Sequence, residues 1–283
     1  MKNIFSFFKK TLDIHLIETE EDFEYIKNIL NREKIFGIDT EFDWRTTYFP
    51  KLSLLQISVS KEIILIDCIK CKRLHFLKSI LENKDKLFIF HSARSDATVL
   101  SNNLDVKIKN IFDTQAAEKL LNSGTVESYA SLVKKYFGKD LDKSETNSNW
   151  LKRPLSENQI SYASSDVEYL IKIYKIQKKL LTKRNLLKEA YELSKKEASL
   201  GNEDIKLSRF KKQKYKLSQR EREIFMWREN TAQKENIPTS YLFKDKYLRN
   251  LSKLKKDEAN LKSKILKILG DTKLSENFIS SLF

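Results

Sequence analysis

The sequence predicts an α/β domain that ends in helices, followed by a small all-helical domain. Two observations carry this reading. Through the first half of the chain, short runs rich in Ile, Leu and Val alternate with segments whose apolar residues recur three and four apart. Beyond Leu200 the strand-like runs stop, the composition turns polar and basic, and only the helical period remains. A length of 283 residues accommodates two domains at roughly 150 residues each.

Taken in order, IHLIE (14–18) reads as a strand, and Thr19 stands where it would cap a helix over 20–31. IFGID (35–39), LSLLQISV (52–59) and EIILID (62–67) read as three strands with short connections. Arg73 to Glu82 reads as a helix, and KLFIFH (86–91) as a further core-type strand. A helix follows over Ser95 to Asn102, and IFDT (111–114) is a short strand running into another helix. Segments 126–137 and 156–182 each have the helical period. The stretch 201–217 is polar and basic and reads as a linker. Four or five short helices are expected within 218–283, with Ser218 and Asp245 placed as caps and Pro238 separating the first two. The expected division is therefore 1–200, 201–217 and 218–283.

The chain is 40% hydrophobic and 33% charged, so a core is attainable beneath a heavily charged surface. Its net charge of +15 attracts polyanions, meaning nucleic acid or an anionic membrane. Residues 201–283 hold 20 Lys and Arg against 11 Asp and Glu, so the excess per residue is greatest there. A general lysine-rich bias accounts for part of the charge, as the low counts of Gly (5) and Pro (3) suit. Only two cysteines occur, Cys68 and Cys71 in DCIKC, which excludes a disulfide framework and fits a reducing, cytoplasmic setting. A structural zinc needs four ligands, and no second pair accompanies them. The opening MKNIFSFFKKTL has an apolar patch too short for a signal-peptide core. No run reaches the ~18 apolar residues that span a bilayer, so no membrane partner is expected.

Three acid-bearing stretches bear chemistry. In FGIDTEFDWR (36–45) an apolar run ends on Asp39 and Glu41. Residues two apart on a strand share a face, so both carboxylates would look the same way at a strand end, where open α/β sheets place their sites. In HSARSD (91–96) a strand ends at His91 and Asp96 opens a helix, where an acid is also an ordinary helix-start residue. In YASSD (162–166) Tyr162 and Asp166 lie one helical turn apart on one face. An acid at a strand end or helix start is usually solvated. Four converging acids without compensating cations would not fold comfortably, and two Mg²⁺ or Mn²⁺ ions would neutralise them. Such a pair suits in-line phosphodiester displacement.

These residues carry a resemblance. IDTEF, FHSARSD and YASSDVEYL resemble the three exonuclease motifs of the DEDD superfamily in its tyrosine-bearing branch. LDKSETNSNWLKRPLSENQISYASSDVEYL (141–170) and YFPKLSLLQIS (48–58) are similar to the ribonuclease D family in order and spacing. That likeness spans about residues 15 to 200, and WRENTAQKENIP with LRNLSKL resembles one helicase-and-RNase-D C-terminal (HRDC) domain. The resemblance implies a ribonuclease H-like (DnaQ-like) exonuclease domain over 1–200. Its central sheet would be mixed and flanked by helices, with an HRDC-like nucleic-acid-binding domain over 218–283. It implies a 3′-5′ exoribonuclease that releases nucleoside 5′-monophosphates from RNA with a single-stranded 3′ tail, such as a tRNA precursor.

The same resemblance gives Asp39, Glu41, Asp96 and Asp166 as ligands of two divalent metal ions, Mg²⁺ or Mn²⁺. Tyr162 would orient the attacking water; its plainer account is a half-buried helix tyrosine. For substrate contact, Phe42 could stack on a terminal base, and His91, Arg94 and Lys143 could touch substrate or phosphate. The plainer accounts are a structural histidine and ordinary surface charge. Asp43 reads as solvated, Trp150 as a packing anchor for its loop, and Trp227 as core. Two alternatives keep the same residues: a 3′-5′ DNA exonuclease, and a non-catalytic RNA-binding protein on this fold. The residues indicate no protein partner.

Overall fold

The computed structural model describes residues 12–283; the reading of the opening MKNIFSFFKKTL falls almost wholly outside them. Contacts divide the chain into two units. One takes the chain up to Asp43 and Leu52–Asn202, and the other takes Trp44–Lys51 and Glu203–Phe283.

The first unit is built on six strands: β1 (Asp13–Ile17), β2 (Ile35–Asp43), β3 (Lys51–Ser58), β4 (Glu62–Asp67), β5 (Leu87–Phe90) and β6 (Ile111–Asp113). They form one mixed sheet in the order β1-β4-β3-β2-β5-β6. β3 and β4 are antiparallel, whereas β1 pairs with β4, and β5 with β2 and β6, in parallel. Among the described residues eight helices accompany the sheet: α1 (Phe23–Arg32), α2 (Phe76–Leu81), α3 (Arg94–Leu104), α4 (Thr114–Leu121), α5 (Tyr129–Phe137), α6 (Glu157–Glu168), α7 (Leu170–Lys183) and α8 (Leu187–Gly201).

Both faces of the sheet are covered, which is why its strands read as near-continuous apolar runs. Phe36, Ile38, Leu55, Ile57, Phe88 and Phe90 pack into one core with α1, α2 and α3. Leu54, Leu65, Ile89 and Phe112 point the other way and pack with Ala163, Val167 and Leu170. On β2 the period of two sends Gly37, Asp39 and Glu41 to this second side. A side chain at Gly37 would run into Ser58 Oγ and lie 2.9 Å from Leu170 Cβ. The glycine therefore lets the start of α7 approach the strand two residues before Asp39.

Several expectations change in the structure. Segment 156–182 is not one helix: it breaks at Tyr169 between α6 and α7. The cause is a phenol from elsewhere in the chain. Tyr129 Oη donates to the Ser165 carbonyl (3.1 Å) and accepts from the Tyr169 amide (3.0 Å), the two groups that an unbroken helix would join to each other. Helix α8 carries the helical region on to Gly201, burying the small residues Ala190, Ser194, Ala198 and Gly201. Thr19 donates to the Asp22 carboxylate instead of capping α1. Asp43 is buried, not solvated, because β2 continues through it.

The second unit is helical: α9 (Ile205–Gln213), α10 (Gln219–Glu235), α11 (Thr239–Leu242), α12 (Leu248–Ser252), α13 (Leu261–Leu269) and α14 (Thr272–Leu282). Helix α9 occupies most of the stretch expected as a linker. Ser218 caps α10 in a reciprocal capping box with Glu221, as its spacing indicates. Asp245 caps nothing; it accepts from Arg228 Nη2 at 2.7 Å. Trp227 is core, edge-on to Phe278 with ring centres 4.8 Å apart. Tyr48 belongs to this core although it lies between β2 and β3 in sequence. Its hydroxyl donates to Glu229 Oε2 (2.8 Å), and Asn236 Oδ1 accepts from the Tyr48 and Phe49 amides (3.1 and 3.2 Å).

Candidate active site

Three of the expected acids meet. Asp39 and Glu41 come from one face of β2, Asp166 comes from the last turn of α6, and one carboxylate oxygen of each lies within 4.8 Å of the others. With Ile38, His91, Tyr129, Tyr162 and Leu170 they line a cavity of about 180 Å³. Asp96, in the first turn of α3, is buried outside that trio. Thr40, between Asp39 and Glu41 on the strand, donates to Asp96 Oδ1 at 2.6 Å. The Asp96 charge nevertheless acts on both Asp39 and Glu41.

The electrostatics are those of crowded like charges. Burial, then the charges of Asp96, Asp166 and Glu41, raise the Asp39 carboxyl well above its usual range. Burial, then the charges of Asp166 and Asp96, push Glu41 up to about 9. Burial takes Asp166 up to about 7 against the pull of the Tyr162 hydroxyl. Asp96 rises to about 6, again by burial, with the Thr40 hydroxyl opposing. Among the described residues, no Lys or Arg forms an ion pair with any of the four. The donor set is therefore carboxylate oxygen alone, at a place that favours protons or cations, and it fits a hard divalent ion.

Tyr162 faces this cavity from α6. Its hydroxyl lies 3.2 Å from Thr146 Oγ1, and its ring is 5.9 Å from that of Trp150. Trp150 is buried, and it anchors the 142–155 loop as its sequence context indicates. His91 also lines the cavity. Its Nδ1 is 3.0 Å from Thr114 Oγ1, whose own proton goes to the Phe90 carbonyl, so the imidazole carries its proton on Nδ1. Burial holds its pKa below the ordinary value, so the ring is neutral near pH 7.

The other expected substrate contacts do not line the acid cavity. Arg94 is exposed and forks onto Glu197 Oε2 through Nε and Nη2 (2.9 and 2.6 Å). It lines a separate cavity of about 870 Å³ with Gln115 and Lys119. Lys143 is exposed, and its carbonyl accepts from Thr146 Oγ1 at 2.9 Å. Phe42 is half-buried on the β2 face opposite Glu41. Tyr129 stands in the cavity wall, and no local pattern announces it: its partners lie 36 and 40 residues downstream. Cys68 and Cys71 are both free thiols, and burial pushes Cys71 up to about 11.

Comparison with known proteins places the chain among nucleases. A family model described as 3′-5′ exonuclease matches residues 14–182, and one for the HRDC domain matches residues 218–265. The chain is 35% identical to a ribonuclease D of Desulfotalea psychrophila, over 85% of this chain and 67% of that protein. It is 31% identical to the ribonuclease D of Haemophilus influenzae, over 80% of this chain and 59% of that one. The chain thus spans about three-fifths to two-thirds of the length of these relatives. The crystal structure of Escherichia coli RNase D, an exoribonuclease involved in structured RNA processing, superposes with a TM-score of 0.84. That match covers 96% of this chain and 74% of the other at 22% identity, a likeness of fold.

Proposed function

The chain belongs to the ribonuclease D family of 3′-5′ exonucleases, and from that premise we propose that it shortens RNA from the 3′-OH end, one nucleotide at a time, releasing nucleoside 5′-monophosphates. The single observation that carries the reading is the trio of Asp39, Glu41 and Asp166 in one cavity that no Lys or Arg lines among the described residues. Together with Asp96 they would hold two divalent ions, Mg²⁺ or Mn²⁺. When bound, such ions neutralise the acids and stabilise the charge that develops on the phosphodiester being displaced.

The chain's own residues do the rest. The Tyr162 phenol, one turn from Asp166, orients the attacking water within the cavity. His91 presents a neutral ring to the same space, held by Thr114, so it offers shape and a hydrogen bond without charge. Thr40 keeps the Asp96 carboxylate turned and ionisable. The net charge of +15 draws in the polyanion, and the basic helical unit adds grip. The relative with the same fold acts in structured RNA processing, and the substrate here is a structured RNA with a short single-stranded 3′ tail, such as a tRNA precursor. Among the described residues no helix is long and apolar enough to cross a membrane, and the cytoplasm is the proposed location.

A gel time course on a 5′-labelled RNA hairpin with a single-stranded 3′ tail tests the reading. A ladder shortening from the 3′ end with Mg²⁺ or Mn²⁺, absent with EDTA, is the expected result. Retention of intact RNA with either metal would replace the enzyme by a binding protein. A DNA strand of the same sequence, run beside it, separates the deoxyribonuclease alternative, since the 2′-OH is what distinguishes the two substrates.

A further inference from the structure

We propose that Tyr129 and Ser58 are positioning residues for Asp166, clamping the backbone on both sides of that acid and so fixing the cation site. This inference rests on the metal-binding reading of the acids. Tyr129 Oη holds the Ser165 carbonyl at 3.1 Å and the Tyr169 amide at 3.0 Å. Ser58 Oγ, from β3, donates to the Val167 carbonyl at 2.8 Å. Ser165 and Val167 are the two neighbours of Asp166 in the chain. The carbonyls of the residues before and after the acid are thus each tied to a side chain from a different element.

The arrangement answers a structural need. Asp166 sits in the last turn of α6, where carbonyls lose their helical partners and the backbone would otherwise fray. The Tyr169 amide reaches only Val167 and the Tyr129 hydroxyl, not Ser165, so the phenol is inserted in the helical ladder. The inserted group ends α6 at Tyr169, before α7 begins at Leu170. It leaves Asp166 just before the break, within 4.8 Å of Asp39 and Glu41. Tyr129 also walls the same cavity, with its ring 5.7 Å from that of His91. Ser58 in turn lies against Gly37, the β2 residue two before Asp39. One hydroxyl pair therefore couples the break of the helix to the strand that supplies the other two acids.

The test is Mn²⁺ binding to the full chain by calorimetry without RNA, alongside kcat and KM on the tailed hairpin, for wild type, Tyr129→Phe and Ser58→Ala. Partners behind metal ligands are commonly worth about 10–100-fold in affinity or activity. Tyr129→Phe, which keeps the ring and loses only the hydroxyl, is expected to weaken Mn²⁺ binding at least about tenfold. It should lower kcat in step and leave the KM for RNA within about twofold. Ser58→Ala should move the same quantities in the same direction. A lowered melting temperature with wild-type Mn²⁺ affinity and kcat would mean ordinary packing and overturn the inference. If Tyr129→Phe fails to fold, Ser58→Ala decides alone, by whether its Mn²⁺ affinity falls. A wild type that takes up no Mn²⁺ overturns the functional reading and this inference together; a variant that matches a metal-binding wild type overturns the inference only.

Discussion

Thr40 donates a 2.6 Å hydrogen bond to Asp96 from the position between Asp39 and Glu41 on β2. The strand thus sends its two acids to one face and a donor for a third acid to the other. That donor opposes the burial that raises the Asp96 carboxyl. Thr40→Val keeps the shape and removes the hydroxyl. The expected result is a loss of about 1–3 kcal/mol in a urea melt, the cost of an unsatisfied buried acceptor, with at least about a tenfold fall in kcat/KM. Unchanged activity in a folded variant would separate Asp96 from the reaction.

Removing a site acid should relieve the metal-free fold. Asp39, Glu41, Asp96 and Asp166 all hold their protons more tightly folded than unfolded, where carboxyls titrate near ~4. The folded state therefore binds more protons than the unfolded one from about pH 4 upward. Stability of the metal-free protein is fully supported by these groups below that pH and is lost as pH rises through about 6, 7 and 9, the raised values of Asp96, Asp166 and Glu41. Melting curves in EDTA should thus fall from pH 5 to 9, and Mn²⁺ should reverse the slope while releasing protons. Asp39→Ala should abolish nucleotide release yet melt no lower than wild type near pH 8 without metal. A collapsed fold in that variant would contradict the account.

Gly37→Ala should destabilise through crowding alone. The added Cβ meets Ser58 Oγ and the Leu170 side chain, both held between packed elements. A cost of about 1–3 kcal/mol is expected from such overpacking, measurable by urea denaturation. Because Ser58 is the residue displaced, the variant should also weaken Mn²⁺ binding more than its stability loss explains.

Away from the site, Arg153 and Asp67 form an enclosed ion pair. Asp67 is fully buried, and its carboxylate accepts from Arg153 Nη2 (2.8 Å) and from the Ile69 and Lys70 amides (2.9 and 3.0 Å). Burial raises this carboxyl, but the guanidinium and the amides outweigh it and hold it low. Its contribution is therefore present above about pH 4 and lost as pH falls below that. Arg153→Ala leaves the charge without its partner and should cost about 3–5 kcal/mol. Adding Asp67→Asn to it should recover part of that loss in the same melts.

What could be read from the chain follows from the range of each cause. Asp39 and Glu41 share a face because strands repeat every two residues, and Tyr162 and Asp166 because helices nearly repeat every four. Those spacings are local, so the sequence displays them. The break at Tyr169 is caused by a residue 40 positions upstream, and no local pattern records it. Arg94 looked available for phosphate because Glu197, its partner, lies 103 residues away. Asp43 looked solvated because the run of apolar residues had already ended, although the strand had not. The helical pattern of 201–217 was masked by its lysines, one of which, Lys211, pairs with Glu203.

The placement of Tyr48 bears on the timing of folding. Its amide meets Asn236 across 188 residues of chain, and its hydroxyl meets Glu229 across 181. Synthesis at about 5–20 residues per second puts roughly ten to forty seconds between the two ends of that contact. During that interval Tyr48 and its neighbour Phe49 have left the ribosome without the partners that will cover them. Nascent chains therefore carry an exposed aromatic pair directly after the strand that holds Asp39 and Glu41. Ribosome-bound chains halted before residue 229 should be more readily captured by chaperones than released chains that carry the whole helical unit.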